Sequence, residues 1–149
     1  MDGNRTMQED LLYAWMQMSV SIRGNRILSG FSFNEMMLCG LLYRRQKAAL
    51  PPLTATELGD EMHLLKSQIN HILTAMEKDG MVTRTRSTQD KRSVHVQLTE
   101  TGCARYEEEH AHVMEIIGLI HDDLGDENTQ QLTRLISRAT ELVRAYSER

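Results

Sequence analysis

The 149 residues include only two cysteines, two prolines and one tryptophan, and no long apolar run. Cys39 and Cys103 lie far apart and form no CxxC pair, which argues against a disulfide framework or a zinc ribbon. No stretch of about 18 apolar residues is available to span a bilayer. The opening "MDGNRTMQEDLLYAW" lacks a basic start followed by an apolar core, so it reads as no secretory signal, and a cytoplasmic protein with no membrane partner is expected. GxGxxG, Walker A, GxSxG and HExxH are missing, and no Ser, His and Asp set sits in a recognisable motif. No enzymatic activity, catalytic residue or cofactor is therefore expected. Internal repeats and low-complexity tracts are missing as well.

What remains is an ordinary globular composition, 40% hydrophobic and 26% charged, in a length suited to one well-packed domain. The charge is unevenly spread. Between Met62 and Val96 six Lys and Arg face three acids, whereas the rest of the chain carries eleven basic and eighteen acidic residues. A mildly acidic protein with one basic segment suits a focused anionic partner better than a general polyanion coat.

Periodicity supplies the architecture. Apolar residues recur at helical spacing from Met7 to about Leu28, through Leu11, Leu12, Trp15, Met18 and Ile22. "SFNE" reads as a capping box from Ser32 to Glu35, opening a second helix that Pro51 and Pro52 end. "TATE" repeats the device from Thr54 to Glu57 and opens a short helix with Leu58 and Met62 in the core. After a break at "HLL" comes "KSQINHILTAMEKDG", whose Ile69, Ile72, Leu73 and Met76 form one stripe and whose Gly80 stands where a helix terminator belongs. Two short helices joined by a tight turn are a helix-turn-helix. "MVTRTRS" and "SVHVQLT" then alternate as strands, with Val94, Val96 and Leu98 on one face and "TQDKR" at the hairpin tip, which makes a wing. Two amphipathic helices follow, about Cys103 to Asp122 and about Glu127 to Tyr146, separated by "DDLGD". The expected fold class is mainly α with a small β-hairpin wing.

This order of elements, with "LLKSQINHILTAMEKDGMVTRTRSTQDKRSVHVQLTETG", resembles the multiple antibiotic resistance regulator (MarR) family of bacterial transcription factors. The family's wing pattern is matched by Gly80, Met81, Val82, Arg84, Asp90, Arg92, Val96, Leu98, Thr99 and Gly102. The match is specific over about Leu53 to Gly102 and rests elsewhere on helix count and order. The resemblance implies one domain over 1–149, with a winged lobe at 30–102 and dimerisation helices at 1–29 and 103–149. It also implies a homodimeric, ligand-responsive repressor that binds a pseudo-palindromic double-stranded DNA operator.

The residues of the window make chemical sense on their own. A helix fits the major groove, where polar side chains near its N-terminus reach base edges. Ser67, Gln68, Asn70, His71 and Thr74 lie opposite the apolar stripe and are the readout candidates, Asn and Gln being able to pair bidentately with adenine. Lys66 and His71 are candidates for phosphate or guanine. In the wing, Asp90 suits a turn and its carboxylate is also placed to hold an arginine. By resemblance, Arg92 enters the minor groove and Asp90 supports the wing. Lys91, Arg84 and Arg86 are phosphate contacts or wing braces, and Arg84 is equally a candidate salt-bridge partner within the fold.

The signal that would switch such a regulator is less legible. Relatives commonly bind small, often aromatic or phenolic ligands, so a small aromatic or hydrophobic effector is expected, and Trp15, Met18, Met36 and Met37 are candidates to line its cleft, methionine being adaptable in shape. Redox-responsive relatives use a cysteine on the first helix, where this chain has none; Cys39 reads as buried and Cys103, at the start of the fifth helix, as the more accessible thiol, so a redox-responsive regulator of the same fold stays an alternative. A metal-responsive alternative rests on "EEEHAH", in which Glu108 and Glu109 stand four and three residues before His112. A solvated acidic helix start is the simpler reading. A winged helix used only for protein contacts is a further alternative, against which the basic tip speaks.

Overall fold

The computed structural model describes residues 2–24 and 27–148. In chain order it contains α1 (Asp2–Gly24), α2 (Phe33–Lys47), β1 (Leu53–Thr54), α3 (Ala55–Met62), α4 (Lys66–Lys78), β2 (Val82–Arg86), β3 (Val94–Leu98) and α5 (Glu100–Ser147). Chain contacts divide it into two compact units, Met1–Ala111 and His112–Arg149. Among the described residues no helix is long and apolar enough to cross a membrane.

Both capping boxes form as the sequence predicts. Ser32 accepts from the Glu35 N–H while Glu35 accepts from the Ser32 N–H, and Thr54 and Glu57 repeat the exchange. The Thr54 bonds hold the Glu57 carboxyl below the usual carboxylate range. Helix α4 ends in a Schellman motif: Gly80 adopts φ 70, its N–H bonds to Glu77 O, and the Met81 N–H reaches back to Met76 O. The turn between α3 and α4 uses the same geometry with His63 in the left-handed position, φ 52 and ψ 40.

The core of the first unit is the meeting of these short elements. Leu38 and Leu42 from α2, Leu58 from α3, Ile69 and Leu73 from α4, and Val82 and Val96 from the sheet are fully buried. The hairpin is in register with Val82 opposite Leu98, Arg84 opposite Val96 and Arg86 opposite Val94. A third strand joins it that the sequence did not announce. Leu53 and Thr54 pair with Val96 and His95, giving the antiparallel order β1-β3-β2. Two residues are too few to show an alternating pattern. Gln46 of α2 pins the far end of β3, its Oε1 accepting from Leu98 N–H at 2.7 Å and its Nε2 donating to Leu98 O at 3.3 Å.

Three boundaries differ from those expected. Helix α1 starts at Asp2 and runs to Gly24, so Ile27 and Leu28 are not helical, while Asn25 and Arg26 of the expected helix lie outside the described residues. The stretch after it is held by Glu109, whose carboxylate accepts from Ser29 N–H, Ser29 Oγ and Gly30 N–H at 2.7, 3.0 and 3.0 Å. Helix α5 begins three residues early because Thr99 caps it, accepting from Gly102 N–H on Oγ1 and from Cys103 N–H on its carbonyl. The expected "DDLGD" separator shrinks to Gly125 alone, whose φ 74 and ψ 170 break the helix while residues on both sides remain helical.

Candidate nucleic-acid interface

Helix α4 turns Ile69, Leu73 and Met76 into the core, which leaves Lys66, Ser67, Gln68, His71 and Thr74 exposed and Asn70 half-buried. The readout candidates thus share one solvent-facing side. Gln68 is partly engaged already, its Oε1 accepting the Leu65 N–H at 2.9 Å.

Arg84 resolves its alternatives in favour of a brace. Its Nε and one guanidinium nitrogen donate to the same Glu77 oxygen at 3.0 and 2.6 Å, and that nitrogen also reaches Thr74 Oγ1 at 3.3 Å. The bond from Arg84 holds the Glu77 carboxyl below its ordinary range. Strand β2 is thereby tied to the C-terminal half of α4, so wing and helix are held in one relative position.

The wing tip is organised by Ser87 and Asp90. Ser87 Oγ accepts from the N–H groups of Gln89 and Asp90, both at 3.2 Å. The Asp90 carboxylate accepts from Arg92 N–H at 3.0 Å and from Ser93 Oγ at 2.8 Å, and these bonds depress its pKa. Asp90 therefore fixes the Arg92 backbone; the expected grip on an arginine side chain is a grip on its amide. Arg86, Lys91 and Arg92 are exposed. Among the described residues, neither they nor Lys66 have an ion-pair partner.

A cleft of about 520 Å³ opens between α3, the start of α4 and the wing, lined among others by Thr56, Asp60, Lys66, Asn70, Arg86 and Arg92. Three of those six are cations without an ion-pair partner among the described residues, against the single carboxylate of Asp60. Thr56 and Asp60 were not among the sequence candidates. The α3 capping box located their helix, but only the fold brings that helix beside the wing.

The remaining candidates are dispersed. Trp15 and Met18 on α1 and Met37 on α2 are exposed, while Met36 packs against the core. The metal alternative meets a competing use: Glu109 is buried and committed to Ser29 and Gly30, Glu108 is exposed, and His112 lies 4.0 Å from Glu115. Among the described residues no group of three His, Cys, Asp or Glu is placed to hold a metal ion. Burial pushes the Cys39 thiol up to about 12, and burial also raises that of Cys103. A raised thiol pKa leaves little thiolate at neutral pH, which opposes ready oxidation. Maleimide labelling of the folded protein, read by peptide mass, is expected to modify Cys103 well before Cys39. Labelling of Cys39 first would contradict its burial.

Comparison with known proteins agrees with this geometry. The sequence profile of the MarR family matches residues 48–94, from the end of α2 into β3. The homoprotocatechuate degradative operon repressor of Escherichia coli is 32% identical over 89 residues, 60% of each chain, so this chain spans less than two thirds of that relative. Streptococcus pneumoniae FabT in complex with DNA shares the fold with TM-score 0.72 at 20% identity, over 96% of this chain and 99% of that one. NadR in complex with 4-hydroxyphenylacetate shares it with TM-score 0.67 at 25% identity, over 89% and 91% of the two chains. In its wing sequence, its order of elements and these likenesses, the chain is similar to the MarR family of winged helix-turn-helix proteins.

Proposed function

We propose that the protein is a transcriptional regulator that binds a pseudo-palindromic operator as a homodimer, with α4 in the major groove and the wing on the adjacent minor groove. The observation that carries this reading is the cleft in which Lys66, Asn70, Arg86 and Arg92 converge, with Arg84 bracing its two walls. Lys66, Arg86 and Lys91 serve as phosphate contacts, which position the protein, while Ser67, Gln68, Asn70 and His71 face base edges, which specify sequence. Arg92 enters the minor groove, where a narrow A·T-rich geometry attracts arginine. Thr74 and Arg84 belong to the brace. Selection from random duplex DNA is expected to enrich one two-fold-related sequence; enrichment of none would overturn the reading.

Two half-sites need two copies at a fixed spacing. Leu11, Leu12, Trp15 and Met18 on α1 are exposed, as are Leu135, Ile136, Leu142 and Val143 on the last part of α5. Apolar surface on this scale marks a protein interface. In the proposed assembly the segments 1–29 and 103–149 form the dimer lobe and 30–102 the DNA lobe. Light scattering at micromolar concentration is expected to give a mass near twice 17.1 kDa. A clean monomer would rule the assembly out.

The presence of an aromatic acid in one related structure and the catabolic operon named for one relative support a small aromatic effector. Such a ligand shifts the DNA-binding equilibrium only by its differential affinity for the two conformations, and a tenfold loss of operator affinity needs about 1.4 kcal/mol. The effector is expected to quench Trp15 fluorescence and to bind the DNA complex more weakly than the free dimer. Equal binding to both forms by a compound that still releases DNA would exclude this switch.

A further inference from the structure

Gln68 is a side chain whose two amide ends the structure tells apart. Its Oε1 accepts the backbone N–H of Leu65, the N-cap of α4, at 2.9 Å. Leucine carries no side-chain acceptor, so α4 has only this half of a capping box. A backbone N–H can only donate, so the oxygen must face the backbone and the NH2 group must be the free end. Gln68 is exposed, on the same face as Ser67 and His71.

The chain itself shows what is unusual here. Glu35 in α2 and Glu57 in α3 hold the same third helical position and accept the same N-cap N–H with a carboxylate. A carboxylate is the stronger choice at a helix N-terminus, because it also interacts with the helix dipole. Facing DNA, however, it would present a second negative oxygen toward phosphates and base-edge acceptors. Glutamine performs the cap and presents donors instead.

We infer that Gln68 reads DNA as a donor, through its NH2 end, to a guanine O6 or a thymine O4. This inference rests on the proposed DNA-binding reading and sharpens it. The bidentate adenine pair expected of a free glutamine asks Oε1 to accept adenine N6–H while it also serves Leu65, in an amide orientation that the cap has set. A single donor contact asks for nothing beyond the end the cap leaves free. Gln68 is thus a specificity-determining residue whose choice of base follows from a helix cap.

The test compares parent, Gln68→Glu and Gln68→Met in selection from random duplex DNA, with thermal melting of each protein. Gln68→Glu keeps an acceptor for Leu65, so its melting temperature is expected to equal or exceed that of the parent. At one two-fold-related pair of positions the parent is expected to favour guanine or thymine by about tenfold. Gln68→Glu should move that preference to a base with an exocyclic donor, cytosine or adenine, on the same strand. Gln68→Met should flatten the same positions and leave the others unchanged. Identical selected sequences for parent and Gln68→Glu would overturn the inference, as would an adenine preference in the parent that Gln68→Met abolishes. A parent that binds no duplex would overturn the DNA-binding reading and this inference with it, an outcome distinct from binding with an unmoved preference.

Discussion

Gly102→Ala is expected to destabilise the protein by about 3 kcal/mol or more, at the upper end for an inserted methyl group. A Cβ on Gly102 would lie 2.1 Å from Met81 O, 3.0 Å from Met81 C and 3.2 Å from a Leu98 methyl. The nearest atoms are backbone, so no rotamer change relieves the clash. Met81 O cannot retreat cheaply, since it accepts from Thr99 N–H at 3.0 Å and from Thr99 Oγ1 at 3.2 Å. The start of α5 would have to lift off the turn that joins α4 to the wing. Gly80→Ala provides the contrast. Its Cβ would meet nothing within 4 Å, and its only penalty is the positive φ of 70, worth roughly 1–2 kcal/mol. Urea denaturation is expected to rank Gly102→Ala well below Gly80→Ala, and both below the parent. Equal midpoints for Gly102→Ala and the parent would mean that the close approach of α5 to Met81 does not exist.

That contact illustrates where the sequence could be read and where it could not. Gly102 is visible as part of a family pattern, but its reason is a carbonyl 21 residues away that no local pattern exposes. Ser32 and Thr54 were legible because a capping box closes within four residues. The hairpin was legible because Val94, Val96 and Leu98 alternate. Features built from distant partners were not. Gln46 holds β3 across a separation of 52 residues, and Glu109 holds Ser29 across 80. Glu109 even invited a metal reading, since its spacing to His112 is visible in the sequence whereas Ser29 is not. Arg84 is intermediate: brace or phosphate contact could not be decided until the α4 turn placed Glu77 beside it. At the candidate site, the exposed side of α4 and the cations of the wing were foreseen. The contribution of α3 and the cap on Gln68 were not.

Arg92→Ala is expected to weaken operator binding by about 1–3 kcal/mol while leaving the melting temperature unchanged. The separation of the two effects follows from how the residue is held. Its backbone is fixed by the Asp90 carboxylate, so the turn survives removal of the guanidinium, and its exposed side chain has no ion-pair partner among the described residues to lose. A minor-groove contact predicts the largest loss on A·T-rich flanks; a phosphate contact predicts a uniform loss and a salt dependence shallower by about one counterion. Arg84→Ala should behave differently. Its guanidinium is engaged by Glu77 and Thr74, so its loss acts on the brace and lowers stability as well as affinity. The sign of the pH effect follows from Glu77. Its folded-state pKa is depressed, so the stabilisation is present above the ordinary Glu range and fades as pH falls through the depressed value. Stability measured from neutral to acid pH should therefore converge for parent and Arg84→Ala, whereas parent and Arg92→Ala should overlie at every pH. If Arg92→Ala bound every sequence as tightly as the parent, the wing would not be reading DNA, and the proposed interface would reduce to α4 alone.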